Sequence, residues 1–402
     1  MNALAAAIEG ATTLLALCGL AYYMVALWSA RDFIRPGVAV VGTPSPGVSI
    51  LKPMKGIEPG MYASVASHCK QDYAGEYEIV FGVGSTDDAV VPALHQLQAE
   101  FPEVRIRIVE CPLRLGTSGK VSNLAQMLPH AAHRHLLIND SDILVSPNYL
   151  ANIMRGFAPS SSGHEIGMVT APYIGHTGAG GALQGVGARD MRATVWSKLE
   201  ALGIATDFIP GVLTARKIEG GIRFGLGSTL AFTREALDAA GGLAPLAEYL
   251  ADDYELGARI AAKGYEIVLS KEVVATAIPA YSFRGFWEHQ LRWARSTRDS
   301  RRLGYLGLVF TFGLPWAMLN CVSSGFALWS FSLLSVLLLA RVAVALNVGV
   351  GILRDEQVLR DLWLLPLRDL LALLLWAWSY ADDTVVWRGE KFRLRNGKLV
   401  QM

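Results

Sequence analysis

Long apolar runs close off both ends of this 402-residue chain. Leu4 to Trp28 is apolar except for Glu9, long enough to cross a hydrocarbon layer of about 30 Å. A second block, Leu303 to Tyr380, contains apolar stretches at 305–328, 329–350 and 362–380. A cleaved signal peptide would carry basic residues before its apolar core. None precedes Leu4, so the first run is expected to stay as an anchor. Arg31 and Arg35 follow it, and the positive-inside rule then puts the next domain in the cytoplasm. Arg341 and Asp369 interrupt the last two stretches. Charges at that depth are expected to face protein or a cavity rather than lipid. The basic segment after Trp387 favours a cytoplasmic end, so one of the three C-terminal stretches is expected to re-enter or lie at the interface.

Between these blocks the pattern changes. Val48 to Leu51, Tyr77 to Val83, Arg105 to Val109 and His135 to Asn139 read as strands. Gly60 to His68, Val90 to Glu100 and Lys120 to Leu128 read as helices between them. Such alternation predicts an α/β domain, a mostly parallel sheet with helices on both faces. Ligands bind such sheets at the C-terminal strand edges. Both Asp87-Asp88 and Asp140-Ser141-Asp142 come directly after strands, so both belong on that edge. The expected division is an anchor over 1–30, a linker over 31–46, the α/β domain over 47–284, an amphipathic interface helix over 285–302, membrane helices over 303–381 and a basic cytoplasmic tail over 382–402. The net charge of +1 gives no global signal for nucleic acid. Cys18, Cys69, Cys111 and Cys321 are scattered, with no CxxC word, which argues against a disulfide framework or a zinc site.

Four words carry chemistry. Asp140 and Asp142, two apart in extended backbone, would turn both carboxylates to one side. There they would hold Mg²⁺ or Mn²⁺ against substrate phosphates; as an isolated word, Asp-Ser-Asp is also good turn chemistry. Asp252-Asp253-Tyr254 opens a helix. Asp252 suits a helix start, and Asp253 is placed either to remove a proton from an acceptor hydroxyl or merely to join the cap. Leu250, Tyr254, Gly257 and Ala261 would form the inner stripe, with Glu255 and Arg259 pairing outside. Lys120, in a Ser-Gly-Lys loop, is a counter-charge for phosphate or a solvated lysine. His289, Arg292 and Trp293 share one side of a helix expected over 285–302, where a cation and an indole N–H would meet developing negative charge. On another face Arg295, Arg298 and Arg302 would meet anionic headgroups. The stretch Gly175 to Gly187 reads as a loop near the acceptor. Trp196 and Arg223 are either site or structural residues.

Together these words resemble the ceramide glucosyltransferase family, including its bacterial branch acting on hopanoid lipids. The resemblance runs from Val48-Ser49-Ile50-Leu51-Lys52-Pro53 through Lys120-Val121-Ser122-Asn123-Leu124 and Asp140-Ser141-Asp142-Ile143 to Leu250-Ala251-Asp252-Asp253-Tyr254 and Arg292-Trp293. It implies a GT-A (Rossmann-like) catalytic domain and inverting transfer of glucose or N-acetylglucosamine from a UDP-sugar to a membrane lipid, ceramide or hopanoid. By the same resemblance Asp88 or Asp87 contacts the uridine, Asp140 and Asp142 handle metal and diphosphate, Asp253 is the base, and the word ending in Arg292-Trp293 closes over diphosphate and acceptor. The protein would be integral to the membrane, the inner one in a bacterium. Two positions depart from the family pattern: His289 stands where Gln or Arg is usual, and Gly84-Ser85 replaces a Gln-Asp pair. The rival expectations are a processive polysaccharide synthase on the same scaffold and a membrane protein that binds nucleotide sugars without turnover.

Overall fold

The computed structural model describes residues 3–35, 45–58, 60–159, 163–177, 193–387 and 390–402. Its strands are β1 (Val48–Pro53), β2 (Tyr77–Val83), β3 (Arg105–Glu110), β4 (His135–Ile138), β5 (Ile143–Leu144), β6 (Ile166–Thr170), β7 (Tyr173–Thr177), β8 (Leu230–Thr233), β9 (Glu266–Leu269), β10 (Val274–Ile278), β11 (Thr384–Trp387), β12 (Glu390–Arg395) and β13 (Lys398–Gln401). Seven of them form one sheet in the order β3-β2-β1-β4-β8-β6-β9. The pairs β3–β2, β2–β1, β1–β4 and β6–β9 are parallel; β8 runs antiparallel to both β4 and β6. The α/β expectation therefore holds, with one reversed strand inside the sheet.

Alternation along the strands separates two cores. Leu51, Val80, Leu136 and Ile138 face helix Gly119–Met127. Ile50, Ile79, Phe81 and Leu137 face helices Met61–Cys69 and Val91–Glu100. Chain order diverges from β1, towards β2 on one side and β4 on the other. The crevice beyond the carboxyl ends of β1 and β4 is where such a sheet opens to ligand. Leu51 pairs with Ile138, which leaves Lys52 and Asp140 at that opening.

Helix Ala3–Ile34 and the continuous helical run Leu328–Ile352 are each long and apolar enough to cross a membrane. Arg302–Phe310 and Gly313–Ser323 pass the same test only as a pair, bent by 44°. Helix Leu365–Trp378 has 14 residues, about 21 Å, short of a crossing. Arg341 and Asp369 meet as a buried bidentate pair, with 2.8 Å from Nε to Oδ2 and from Nη2 to Oδ1. Arg341 also donates to the Thr206 carbonyl at 2.8 Å. The two charges expected to face protein thus face each other.

The first helix crosses Gly313–Ser323 at Gly19, where any Cβ would run into the backbone of Gly313. Small residues are what let apolar helices approach this closely. The helix continues to Ile34, into residues expected as linker. Its last turns pack Ala30 and Phe33 into the domain core, and Asp32 holds Lys217 at 2.8 Å and Arg216 at 3.3 Å. The anchor and the α/β domain are therefore one packed body. The C-terminal segment is likewise no free tail: β11, β12 and β13 form an antiparallel sheet. Val385, Phe392, Leu394 and Leu399 close over Leu250.

Candidate active site

The sheet edge brings the acidic words together through buried hydrogen bonds. Asn139, fully buried after β4, donates to Tyr149 Oη at 2.9 Å and to the Ser228 carbonyl at 2.7 Å, and His68 Nε2 lies 3.2 Å from its Oδ1. This anchors the base of the next turn, in which the Ile143 N–H reaches the Asp140 carbonyl at 3.4 Å. Asp140-Ser141-Asp142 is therefore a turn, not the extended segment expected. The same carbonyl accepts from Lys52 Nζ at 3.0 Å. Lys52 is fully buried; desolvation lowers its ammonium to about 7, against the upward pull of Asp142 and Asp140. Asp142 accepts from Thr276 Oγ1 at 2.5 Å, and burial, then Asp140, raises its carboxyl to about 6.

Lys120 sits in the first turn of Gly119–Met127, whose Ser118 side chain caps the Val121 N–H. Its ammonium lies 2.8 Å from Asp140 Oδ1 and 3.2 Å from Asp252 Oδ2. Burial opposes its charge, but Asp140, Asp252 and Asp253 outweigh it and raise the group. The solvated-lysine reading fails, because the side chain is held by carboxylates. Asp252 stands at the helix start as expected, in the first turn of Asp252–Ala262. That helix has no side-chain cap, and the Asp252 carboxylate is turned to Lys120.

Asp253 comes next to Asp140 across a glycine. A Cβ on Gly227 would fall 2.9 Å from Asp253 Oδ2 and 3.7 Å from Asp140 Oδ2. Desolvation, then the neighbouring Asp252, raises Asp253 to about 6, with Lys120 opposing. Of the expected stripe, Leu250 and Gly257 are buried and Tyr254 and Ala261 pack half-buried against the core, with Leu256 and Ile260 the further buried residues; Glu255 and Arg259 pair at 2.9 Å as expected. The missing side chain of Gly257 admits the backbone of Phe224 and Gly225.

Asp87 and Asp88 stand at the neighbouring strand end, after β2. Asp88 Oδ1 accepts from the Gly56 and Val90 N–H groups at 2.8 and 3.0 Å, closing the loop after β1 onto the loop after β2. Asp87 is exposed.

The aromatic-basic word lies on helix Phe283–Ser300. The His289 and Trp293 rings are 4.9 Å apart, and His289 stacks on Tyr281 at 5.5 Å. The Tyr281 hydroxyl is raised by burial and Glu200, Arg292 opposes, and Asp142 adds a further upward push. Trp196 packs on Phe283 and Phe286, and Arg223 is exposed. The outer arginines have protein partners. Arg295 binds the Thr384 carbonyl, Arg298 binds Asp383 at 2.5 Å, and Arg302 binds Asn396 at 2.6 Å. All three are engaged by the C-terminal sheet or the turn leading into it. Gly175 to Thr177 belongs to β7, and residues 178–187 lie outside those described.

Several site residues escaped sequence reasoning. Lys52, Thr276, Glu200 and Tyr173 receive no chemical role from it. Tyr173 is raised by burial first and then by the charges of Asp253, Glu200, Asp140 and Asp142. The Gly-x-Gly at 225–227 just before β8 was the one available signal, since paired glycines mark a close approach of backbone.

Known proteins agree with this architecture. Ceramide glucosyltransferase 3 of Caenorhabditis elegans is 25% identical over 253 residues, 62% of this chain and 50% of the relative. The ceramide glucosyltransferase of Candida albicans is 31% identical over 117 residues, 26% of this chain and 22% of the relative. The chain thus spans half or less of the length of these relatives. Among solved structures, a mannosyltransferase from Pyrobaculum calidifontis in complex with GDP-Man and Mn²⁺ superposes with a TM-score of 0.51 at 18% identity, over 92% of this chain and 99% of that one. The fold is GT-A-like. Residues 11–400 match the profile of one family across nearly the whole sequence, and the chain belongs to glycosyl transferase family 21.

Proposed function

We propose that this protein transfers a hexose from a UDP-sugar to the hydroxyl of a membrane lipid, with inversion at the anomeric carbon. One observation carries the reading: Asp140, Asp142, Asp252, Asp253 and Lys120 converge at the open sheet edge of a body that also contains membrane-length helices. The relatives named as ceramide glucosyltransferases support a lipid acceptor, either ceramide or a hopanoid. Arg31 in the last turn of the first helix and Arg35 just after it favour a cytoplasmic domain.

In this reading Asp253 takes the acceptor hydroxyl's proton as that oxygen bonds to the anomeric carbon. The bond from that carbon to the phosphate oxygen breaks, and UDP leaves with the electron pair. A single displacement by one base inverts the configuration. Arg292 and the Trp293 indole N–H meet the charge gathering on the diphosphate. Asp88, or Asp87, contacts the uridine.

The donor set fits a divalent cation shared with substrate. Burial and Asp140 hold Asp142 above the usual carboxylate range, a strain that a cation relieves. Among the described residues no three acidic, histidine or cysteine side chains form a metal group by themselves. Asp140 and Asp142 would therefore hold Mg²⁺ or Mn²⁺ together with the donor's phosphates. When bound, the ion neutralises charge on the diphosphate.

The test uses the purified full chain in lipid nanodiscs, with UDP-glucose or UDP-N-acetylglucosamine, Mn²⁺ and a lipid extract. UDP release together with a singly glycosylated lipid in mass spectrometry is the expected result. UDP binding with no turnover on any extract, or a polymeric product, overturns the reading.

A further inference from the structure

Glu200 is 2% exposed, and a buried carboxylate must be matched by donors. Two reach its Oε2: His289 Nδ1 at 3.0 Å and Gln290 Nε2 at 3.2 Å. Nothing about this contact is left loose. Helix Val195–Gly203, which carries Glu200, is capped by Thr194. Thr194 Oγ1 donates to the Tyr281 carbonyl at 2.9 Å, and Ser197 Oγ donates to the Pro279 carbonyl at 2.7 Å while accepting from the Tyr281 N–H at 3.2 Å. The segment leading into the His289 helix is thereby stapled to the helix that holds Glu200. Lys198, on the same helix, is turned to Asp361 at 2.8 Å and leaves Glu200 to its two donors.

The contact orients the His289 ring: Nδ1 faces the Glu200 carboxyl, and Nε2 is left on the far side of the ring. The ring is clamped between Tyr281 and Trp293, and its side chain remains 21% exposed. The cleft is the one already described: Gly175 of β7 lies against Ala201 of the helix that holds Glu200, and Gly175 pairs with Thr276, the partner of Asp142.

The surroundings point to the lipid rather than the donor. Trp287 lies one helical turn from Phe283 and packs on Trp378, with centroids 5.9 and 6.3 Å apart. Phe283 and Trp378 are 51% and 58% exposed. Trp378 ends the short apolar helix Leu365–Trp378. An aromatic wall thus runs from exposed rings at the end of the short apolar helix to the helix that carries His289, whereas Lys120, the cation for phosphate, sits at the sheet edge.

We propose that Glu200 is a positioning residue that locks His289 with Nε2 facing the cleft, where it hydrogen-bonds a hydroxyl of the lipid acceptor. This rests on the lipid glycosyltransferase reading. It adds that the pair sets acceptor affinity without touching the donor.

The experiment compares Glu200→Gln, Glu200→Asp, His289→Ala and the double variant E200Q/H289A in nanodiscs, using the lipid that the unaltered protein glycosylates. An amide in place of the carboxylate removes the charge that holds Nδ1 and leaves the ring less fixed. Expected for E200Q is a rise of about tenfold in KM for the lipid, the scale of one hydrogen bond. UDP binding by calorimetry should stay within about twofold, and Glu200→Asp should recover part of the loss. The double variant should be no worse than His289→Ala alone, since Glu200 acts through the ring. If E200Q does not fold, His289→Ala at a partly exposed position must by itself show the lipid KM rise. An unchanged lipid KM in a folded variant, or a loss confined to UDP binding, overturns the proposal while leaving the enzyme reading intact. Absence of any turnover by the unaltered protein overturns both.

Discussion

Asp253 and Asp140 face each other across Gly227, and a single methyl group there would lie 2.9 Å from one carboxylate and 3.7 Å from the other. Gly227→Ala is therefore expected to push the Asp253 side chain aside. The displaced group is the end of a side chain, so stability should change by less than about 1 kcal/mol. Transfer should fall about tenfold or more, because misplacement of a reacting group is costly. Thermal melts and initial rates of UDP release on the same preparation check both parts; unchanged transfer would separate Asp253 from the reaction.

Asp253→Asn keeps shape and removes the base. Transfer should drop by about a hundredfold or more, the usual worth of a general base, while UDP affinity stays within about threefold. Calorimetric titration with UDP beside a rate assay distinguishes the two. A variant that folds normally but loses UDP binding would move Asp253 from the base role to donor binding.

The raised carboxyl of Asp253, at about 6 through burial and Asp252, gives activity an acid limb. As pH falls below about 6 the base takes up its proton, and the rate should fall towards tenfold per unit. The stability effect has the opposite sense. The unfolded chain releases this proton near the ordinary 3.8 and the folded one near 6, so between them the folded state binds more protons. Stability without metal should therefore decrease as pH rises from about 4 to 6. Asp142, raised to about 6 by burial and Asp140, adds to the same slope. Asp253→Asn should flatten part of it in denaturation curves taken across that range.

Arg341 and Asp369 form a pair buried to within a few per cent. Removing one partner leaves the other charge uncompensated, so Arg341→Leu or Asp369→Leu should each cost on the order of 3–5 kcal/mol. The double replacement should recover much of that loss. Melting temperatures in detergent for the two single variants and the double one decide it. Additive losses would show that the pair is not coupled.

The C-terminal sheet touches the segment that leads into Asp252. The Leu250 N–H donates to the Gly397 carbonyl at 3.0 Å, and the Leu399 N–H to the Glu248 carbonyl at 2.8 Å. Glu248 in turn accepts from Thr117 at 2.7 Å, in the loop before Lys120. Phe392→Ala empties the small core over Leu250 and should cost about 3–5 kcal/mol within that unit. Faster proteolysis after residue 381 and reduced transfer are expected; full activity with a detached sheet would show that the site holds without it.

Much of this protein is legible in sequence order because its causes are local. Strand alternation and apolar length act over a few residues, so the α/β layout and the membrane-length helices follow from pattern alone. The acidic words fall at the sheet edge for the same reason, since strand ends are set by the strands themselves. What the fold decided is partnership over long separations. Lys120 meets Asp252, Lys52 meets the Asp140 carbonyl, Arg341 meets Asp369 and His289 meets Glu200 only because packed cores bring those segments together. A lone glutamate or lysine carries no mark of its partner, and burial strong enough to move a carboxyl to about 6 belongs to the cleft and not to the residue.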